Sequence, residues 1–211
     1  ITGEPGLDYG GMSRDWFLSL SEEMMSEKFE LFVRKGNEYF INHHGDSAQH
    51  IERFYFVGTI MGLAIYHGKL FHSYFNLSFY KSVLERDMTM DDLQLIDEQL
   101  YKSLKYIQDN DTGIDDLCLT FSVMERLPDG TEREIDLKEK GRNISVTKEN
   151  KKEYVELCVQ YYLHRSDKQI NAIKSGLYEF VPLNLLTSLF EPEVRVALNM
   201  DSVANQTYSY Y

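Results

Sequence analysis

Residues 49–69 read QHIERFYFVGTIMGLAIYHGK, and this stretch decides the fold. Apolar residues recur at helical spacing and most intervening positions are apolar as well, which predicts a buried central helix over Gln49–Tyr66. Gly58 and Gly62 form a GxxxG pattern on it, so we expect a neighbouring backbone to approach closely there. Gly68 is placed to end the helix. A domain built around this helix is therefore the first expectation.

The central segment is too short to be a membrane span. Arg53 and His67 flank its apolar run, whereas a bilayer requires roughly 20 apolar residues. The chain also opens without a signal peptide pattern, because Ile1 to Gly6 carry neither a basic flank nor an apolar run. We therefore expect no membrane span.

The elements on either side of this helix are also predicted to be mainly helical. Ser13 is placed to cap a helix whose apolar positions are Trp16, Phe17, Leu20 and Met24, and Gly36-Asn37 separates the arms of a small hairpin. After the central helix, short helices are predicted at Leu77–Leu84, after the cap Thr89, and at Asp97–Gln108. Further helices are predicted after the cap Thr147, at Asp167–Lys174 with an end near Gly176, and after Pro182 and Pro192.

A period-2 pattern marks a second, smaller unit. Leu117–Val123 alternates apolar and small polar residues, which is typical of a strand. Asp129-Gly130 is a hairpin turn signal, and Glu132–Leu137 is the return arm. The fold class predicted is α+β and mainly helical, with a small α+β insertion near residues 90–145.

Composition excludes several function classes. There are 34 acidic and 22 basic residues, a net charge of −12, with no basic stripe, so we expect no nucleic-acid partner. The two cysteines form no CxxC pair, which indicates a reducing compartment, the cytosol or the nucleus. We expect the cytoplasm as the main location.

No motif of self-contained chemistry is present in the sequence. The six histidines form no HExxH and no zinc spacing, and P-loop, GxGxxG and GxSxG patterns are missing. We therefore predict no cofactor and no metal. Cys118 in the predicted strand and Cys158 on an apolar helix face are both interpreted as structural, because a nucleophilic thiol requires an exposed site that stabilises thiolate.

One apolar stripe has two interpretations. Leu100, Leu104 and Ile107 follow i, i+4, i+7 spacing, and periodicity alone favours ordinary core packing. The acidic pair Asp115-Asp116 lies close by in the sequence. Together they would also form an apolar groove rimmed by acid, suited to a partner with an aromatic anchor and basic side chains.

An ordered series of motifs resembles the HECT ubiquitin ligases, particularly those with WW domains. Gly6 to Gly11 read GLDYGG, Ser13 to Phe17 read SRDWF, and Tyr66 to Leu70 read YHGKL. The further matches, in chain order, are Tyr55-Phe56-Val57-Gly58, Phe79-Tyr80-Lys81, Ser103-Leu104, Asn110-Asp111, Leu119-Thr120-Phe121, Gly141, Val146-Thr147, Glu153-Tyr154-Val155, Gly176 and Pro182. The resemblance covers residues 3 to about 198.

The resemblance implies a partial HECT domain over residues 1–211, the N-terminal lobe. In that family a small subdomain of this lobe, here residues 90–145, receives the ubiquitin-conjugating enzyme, and a C-terminal lobe holds the cysteine that accepts ubiquitin. The implied docking residues are Leu100, Leu104, Ile107, Asp115, Asp116, Leu117 and Leu119. Ubiquitin and protein substrates are the other implied partners, the substrates being chosen by regions outside the domain.

The chain also departs from the family pattern. Some members bind a second ubiquitin on this lobe through aromatic side chains; of those positions only Phe29, in Ser26–Glu30, is aromatic here, which makes it the candidate contact. The family's catalytic T-C-(F/A)-N motif has no match, so we expect the chain alone to be inactive. Residues 199–211 are a divergent end or the start of the hinge between lobes. The alternatives are a non-catalytic module that holds the conjugating enzyme or ubiquitin, and an unrelated helical scaffold.

Overall fold

The computed structural model describes residues 11–69, 71 and 74–189. The chain divides into two compact units: the second spans Asp87–Asp167, and the first is formed by the segments on either side of it. The second unit is larger than the predicted 90–145 because the helix that follows residue 145 belongs to its core. The predicted features at residues 6–10, at Pro192 and at 199–211 lie outside the described residues.

The regular structure of both units is mainly helical, and each sheet is a two-stranded hairpin, so the predicted α+β, mainly helical class is confirmed. The helices are α1 Gly11–Met24, α2 Ala48–Tyr66, α3 Leu77–Val83, α4 Leu93–Ile96, α5 Glu98–Asp109, α6 Lys151–His164, α7 Asp167–Tyr178 and α8 Leu183–Leu189. The strands are β1 Phe32–Lys35, β2 Glu38–Ile41, β3 Ser122–Arg126 and β4 Glu132–Asp136.

The central helix of the first unit is α2, as predicted. Ser47 caps it by accepting a hydrogen bond from the His50 amide at 3.3 Å. Gly68 ends it with φ +60, which lets the Lys69 amide donate to the Ala64 carbonyl at 2.8 Å. Within the described part of the chain, no helix is both long and apolar enough to cross a bilayer.

Glycines bring the backbones of α2 and α7 into direct contact. A Cβ added at Gly58 would lie 1.9 Å from the Ile173 carbonyl oxygen, and one added at Gly176 would lie 2.2 Å from the Tyr55 carbonyl oxygen. The close approach predicted for Gly58 is confirmed. The helix predicted to end near Gly176 ends two residues later, at Tyr178, so Gly176 lies inside α7 and allows the close approach of α2.

The first helix buries the predicted face except at Trp16, since Phe17 and Met24 are buried and Leu20 packs against the core partly buried. Its buried positions are Phe17, Ser21 and Met24, which follow i, i+4, i+7 spacing. Trp16 lies about 100° away around the helix from Phe17 and is 53% exposed. Ser13 lies inside α1 instead of capping it.

The core of the second unit packs α4, α5 and α6 against the β3–β4 hairpin. Asp97 caps α5 by accepting from the Leu100 amide at 3.0 Å. The hairpin is antiparallel, with Met124 opposite Glu134, and Gly130 adopts φ +84 in its turn. The hairpin prediction is therefore confirmed at its turn and return arm.

The strand predicted over Leu117–Val123 is wrong in its first half. Asp115–Leu117 forms a 3₁₀ turn, Cys118 adopts the left-handed conformation with φ +50, and β3 begins only at Ser122. Between the turn and β3, the Val146 amide donates to the Leu119 carbonyl at 2.8 Å, which ties this segment to the chain before α6.

The start of α6 also differs from the prediction. Asn150 precedes the helix, and its side-chain oxygen accepts from the Thr147 amide at 2.7 Å. Thr147 therefore donates to the residue before the helix instead of capping α6.

Candidate functional site

The predicted docking stripe on α5 is divided between the core and the surface of the second unit. Leu104 is 2% exposed and Ile107 is also buried, both within the core cluster. Leu100 is half-buried against the same cluster. Ile107 is packed in the core, whereas Leu100 and Leu104 also face a cavity. The docking role of all three residues stays a prediction.

This cavity has a volume of about 340 Å³ and lies between α5, the segment before β3, the hairpin and α6. Its size falls in the usual range for a pocket that takes a small ligand or a protruding side chain. It is lined by Leu100, Leu104, Cys118, Leu119, Thr120, Ser122, Val123, Met124, Glu134, Tyr154, Cys158 and Tyr162. We call it the α5–α6 groove.

One side of the α5–α6 groove is apolar. Leu100 and Leu104 come from α5, and Leu119 comes from the segment before β3. Met124 continues this surface outward and is 58% exposed. A flexible, polarisable methionine at a pocket mouth lets the surface adapt to the shape of a partner.

One face of α6 contributes the phenols and the buried thiol. Tyr154, Cys158 and Tyr162 stand at i, i+4 and i+8, so their side chains share that face. Burial raises the pKa of the Cys158 thiol to about 11 and raises the pKa of both tyrosines. These groups are therefore neutral near pH 7, and they add no charge to the groove.

The groove lining also contains polar groups, beside Val123 and Met124 of the hairpin. The Ser122 hydroxyl donates to Glu134 Oε1 at 2.7 Å, and its oxygen lies 2.8 Å from the Thr120 hydroxyl. Because the Ser122 proton is given to the carboxylate, Thr120 is the donor in the second bond. The three side chains form a hydrogen-bonded row that ends in a carboxylate on the groove wall.

The acidic residues predicted at the rim do not line the cavity. Asp115 and Asp116 are exposed in the 3₁₀ turn, and Leu117 beside them is 42% exposed. They precede Cys118, which does line the groove and is exposed, so its interpretation as a residue enclosed in a strand is wrong. Its left-handed backbone lies outside the regular strand that would have enclosed it.

The C-terminal end of α5 is fixed to α6 by one cation. The Lys151 ammonium donates to the carbonyls of Gln108 at 3.0 Å and Asn110 at 2.6 Å, and it lies 2.9 Å from the Asp111 carboxylate. Lys151 itself is buried. A lysine at a helix end satisfies carbonyls that have no partner inside the helix. The relative position of the two groove helices depends on this contact.

Phe29 lies in the first unit, in a 3₁₀ turn at Glu27–Phe29. Its ring is half-buried against the core of that unit, with the Lys28 ammonium 5.0 Å and the Arg53 guanidinium 5.4 Å from the ring centroid. Both distances are typical of cation–π contacts. Its role as a ubiquitin contact stays a prediction.

Sequence reasoning missed part of the groove. The α6 face carried a signal, since Tyr154, Cys158 and Tyr162 have helical spacing, but that spacing equally indicates a core face. No pattern in the sequence indicated that Glu134 lines the groove. It reaches the wall only through its cross-strand position opposite Met124.

Comparison with known proteins gives the family. Residues 18–203 match the model of the HECT-domain (ubiquitin-transferase) family. The chain is 41% identical over 202 residues to the E3 ubiquitin-protein ligase pub1 of Schizosaccharomyces pombe, covering 93% of this chain and 26% of that protein. It is 40% identical to the probable E3 ubiquitin-protein ligase hulA of Aspergillus fumigatus, with 93% and 24% covered, and 36% identical to human E3 ubiquitin-protein ligase NEDD4, with 93% and 15% covered.

The chain thus spans between 15% and 26% of the length of these three relatives. The similarity extends over both units, since the family match runs from α1 to beyond α8. The chain belongs to the HECT-domain family of ubiquitin transferases.

Proposed function

We propose that this chain is the receiving lobe of a HECT ubiquitin ligase and that the α5–α6 groove docks a ubiquitin-conjugating enzyme. The observation that carries the proposal is the groove itself. It combines apolar side chains from α5 with exposed apolar side chains at Met124, which lines it, and at Leu117, the neighbour of the lining residue Cys118. Exposed apolar surface beside a preformed pocket is typical of a site that binds a protruding apolar side chain of another protein.

Docking here would hold the ubiquitin thioester of the conjugating enzyme for transfer to an acceptor cysteine. We place that acceptor outside residues 1–211. Cys158 is a poor acceptor because its raised pKa, about 11, keeps it a thiol. Cys118 is accessible, but the residues around it, Leu117-Cys118-Leu119, do not match the family's T-C-(F/A)-N motif.

The docking proposal is tested by measuring the affinity of the chain for purified ubiquitin-conjugating enzymes by calorimetry. Leu117→Asp and Met124→Asp are expected to weaken binding at least about tenfold, because each places a charge on the apolar rim. Leu104→Asp is unsuitable, since at 2% exposure the new carboxylate would disrupt the core instead of the surface.

Leu95→Asp is the matched control. Leu95 is 39% exposed, close to the 42% of Leu117, and it lies on α4 away from the groove lining. Equal affinities of the Leu117→Asp and Leu95→Asp variants would reject the groove as the docking site. Circular dichroism of each variant shows whether the fold is retained.

A non-catalytic module that only holds the conjugating enzyme would use the same groove. The two functions differ in the chemical step after docking. The coding sequence beyond Tyr211 distinguishes them: a downstream T-C-(F/A)-N segment whose cysteine forms a reducible ubiquitin adduct supports the ligase, and its absence from the full-length protein supports the module.

A further inference from the structure

The lining of the α5–α6 groove contains an apolar set and a polar set of side chains, and the polar set has no role in binding an apolar anchor. Leu100, Leu104 and Leu119 belong to the apolar set, and Thr120, Ser122 and Glu134 form the polar set. An apolar side chain alone would desolvate the Glu134 carboxylate, whose contact with the Arg142 guanidinium is long and shared with Asp136, and this desolvation costs free energy. The occupant should therefore also bring a positive group.

The negative charge of this polar set is only partly neutralised by Arg142. Arg142 lies between two carboxylates, with Nε 3.0 and 3.1 Å from the two oxygens of Asp136 and Nη1 3.5 Å from Glu134 Oε2. The shorter contacts assign the guanidinium mainly to Asp136. One cation between two carboxylates leaves one negative charge, and Glu134 carries it toward the groove.

The excess of acidic residues in the second unit adds to the negative potential around Glu134. Residues 87–167 contain 19 acidic and 11 basic side chains, so the second unit carries two-thirds of the chain's net charge of −12. A negative field of this kind raises the association rate of basic partners and disfavours acidic ones.

We infer that Glu134 is a specificity-determining residue of the groove, selecting partners in which a lysine or arginine flanks the apolar anchor. This inference rests on the proposed docking function and names the chemistry that the docked enzyme must present. Ser122 holds the carboxylate in place, and docking excludes water from the partly buried side chain, which strengthens the ion pair. A conjugating enzyme with an acidic residue at that position is rejected because two carboxylates would meet.

The test uses a conjugating enzyme that binds the unmodified chain. Glu134→Gln keeps an acceptor for the Ser122 hydroxyl and removes only the charge, so the fold is retained. It is expected to weaken binding about three- to tenfold and to make the affinity less dependent on salt. Glu156→Gln is the control, since it removes the same charge from the side of α6 opposite Tyr154 and Cys158, where Glu156 is exposed.

A charge exchange completes the experiment. In the conjugating enzyme, the lysines and arginines next to the apolar anchor are replaced by glutamate one at a time. One of these enzyme variants should bind the Glu134→Lys variant of this chain more tightly than it binds the unmodified chain. If Glu134→Gln and Glu156→Gln bind equally while Leu117→Asp abolishes binding, this inference is wrong and the docking function stands. If Leu117→Asp also binds normally, the docking function fails and this inference fails with it.

Discussion

Cys118 and Cys158 line the same cavity, yet one thiol is exposed and the other is buried. The difference arises from the backbone: Cys118 sits in a left-handed position at the end of a 3₁₀ turn, whereas Cys158 lies on the inner face of α6. Burial raises the pKa of the Cys158 thiol to about 11, so its thiolate fraction at pH 8 is about one in a thousand.

Alkylation should therefore separate the two thiols. With iodoacetamide at pH 8 we expect rapid labelling of Cys118 and none of Cys158 until the chain is unfolded, measured by mass spectrometry of tryptic peptides. Cys118→Ser should abolish labelling of the folded protein. Labelling of Cys158 at the same rate in folded and denatured chains would contradict its placement in the core.

The contact between Gly58 and Ile173 predicts that one methyl group added at Gly58 will greatly reduce the stability of the fold. Because a Cβ at Gly58 would lie 1.9 Å from the Ile173 carbonyl oxygen, Gly58→Ala must separate α2 from α7. We expect the free energy of unfolding to fall by about 3 kcal/mol, measured by urea denaturation. Gly11→Ala is the control: it lies in α1 with nothing within 4 Å of the new Cβ, so stability should be unchanged or higher.

Removal of the Lys151 ammonium should destabilise the second unit. Lys151→Met keeps most of the length of the side chain but leaves the Gln108 and Asn110 carbonyls without their charged donor. We expect a loss of about 2–3 kcal/mol in the free energy of unfolding. Lys152→Met changes an exposed neighbour and should have little effect. Equal effects of the two substitutions would show that Lys151 does not hold α5.

Asp136 should make the stability of the hairpin depend on pH. Hydrogen bonds from the Arg142 side chain and backbone hold the pKa of its carboxyl below the usual range. Since the folded pKa is the lower one, the stabilisation is complete above the unfolded value of about 3.9 and is lost as pH falls through the folded pKa.

Asp136→Asn should therefore be less stable than the unmodified chain at pH 7, and the gap should close below about pH 4. Denaturation midpoints across this range measure the gap. Asp87→Asn, at an exposed position at the start of the second unit, is the control. A gap that stays constant down to the lowest pH would contradict the role of the Asp136–Arg142 pair.

The local signals in the sequence were sufficient for most elements. Helical periodicity and a terminal glycine predicted α2 with the end observed at Gly68, and turn chemistry predicted both hairpins. The errors occurred where a local signal had two meanings. A glycine such as Gly176 can end a helix, but this one lies inside α7 and allows close helix packing. The segment Leu117–Val123 alternates like a strand, although a 3₁₀ turn includes its first residue.

The sequence by itself determined the family and the apolar stripe at Leu100 and Leu104, because both depend on residue order and spacing. Only the tertiary structure decided which side chains face the cavity. Burial and exposure of Leu104, Cys118 and Glu134 depend on contacts between different segments of the chain, such as the cross-strand pairing that brings Glu134 into the groove lining. Periodicity records the face of one element, and it carries no information about which other element will cover that face.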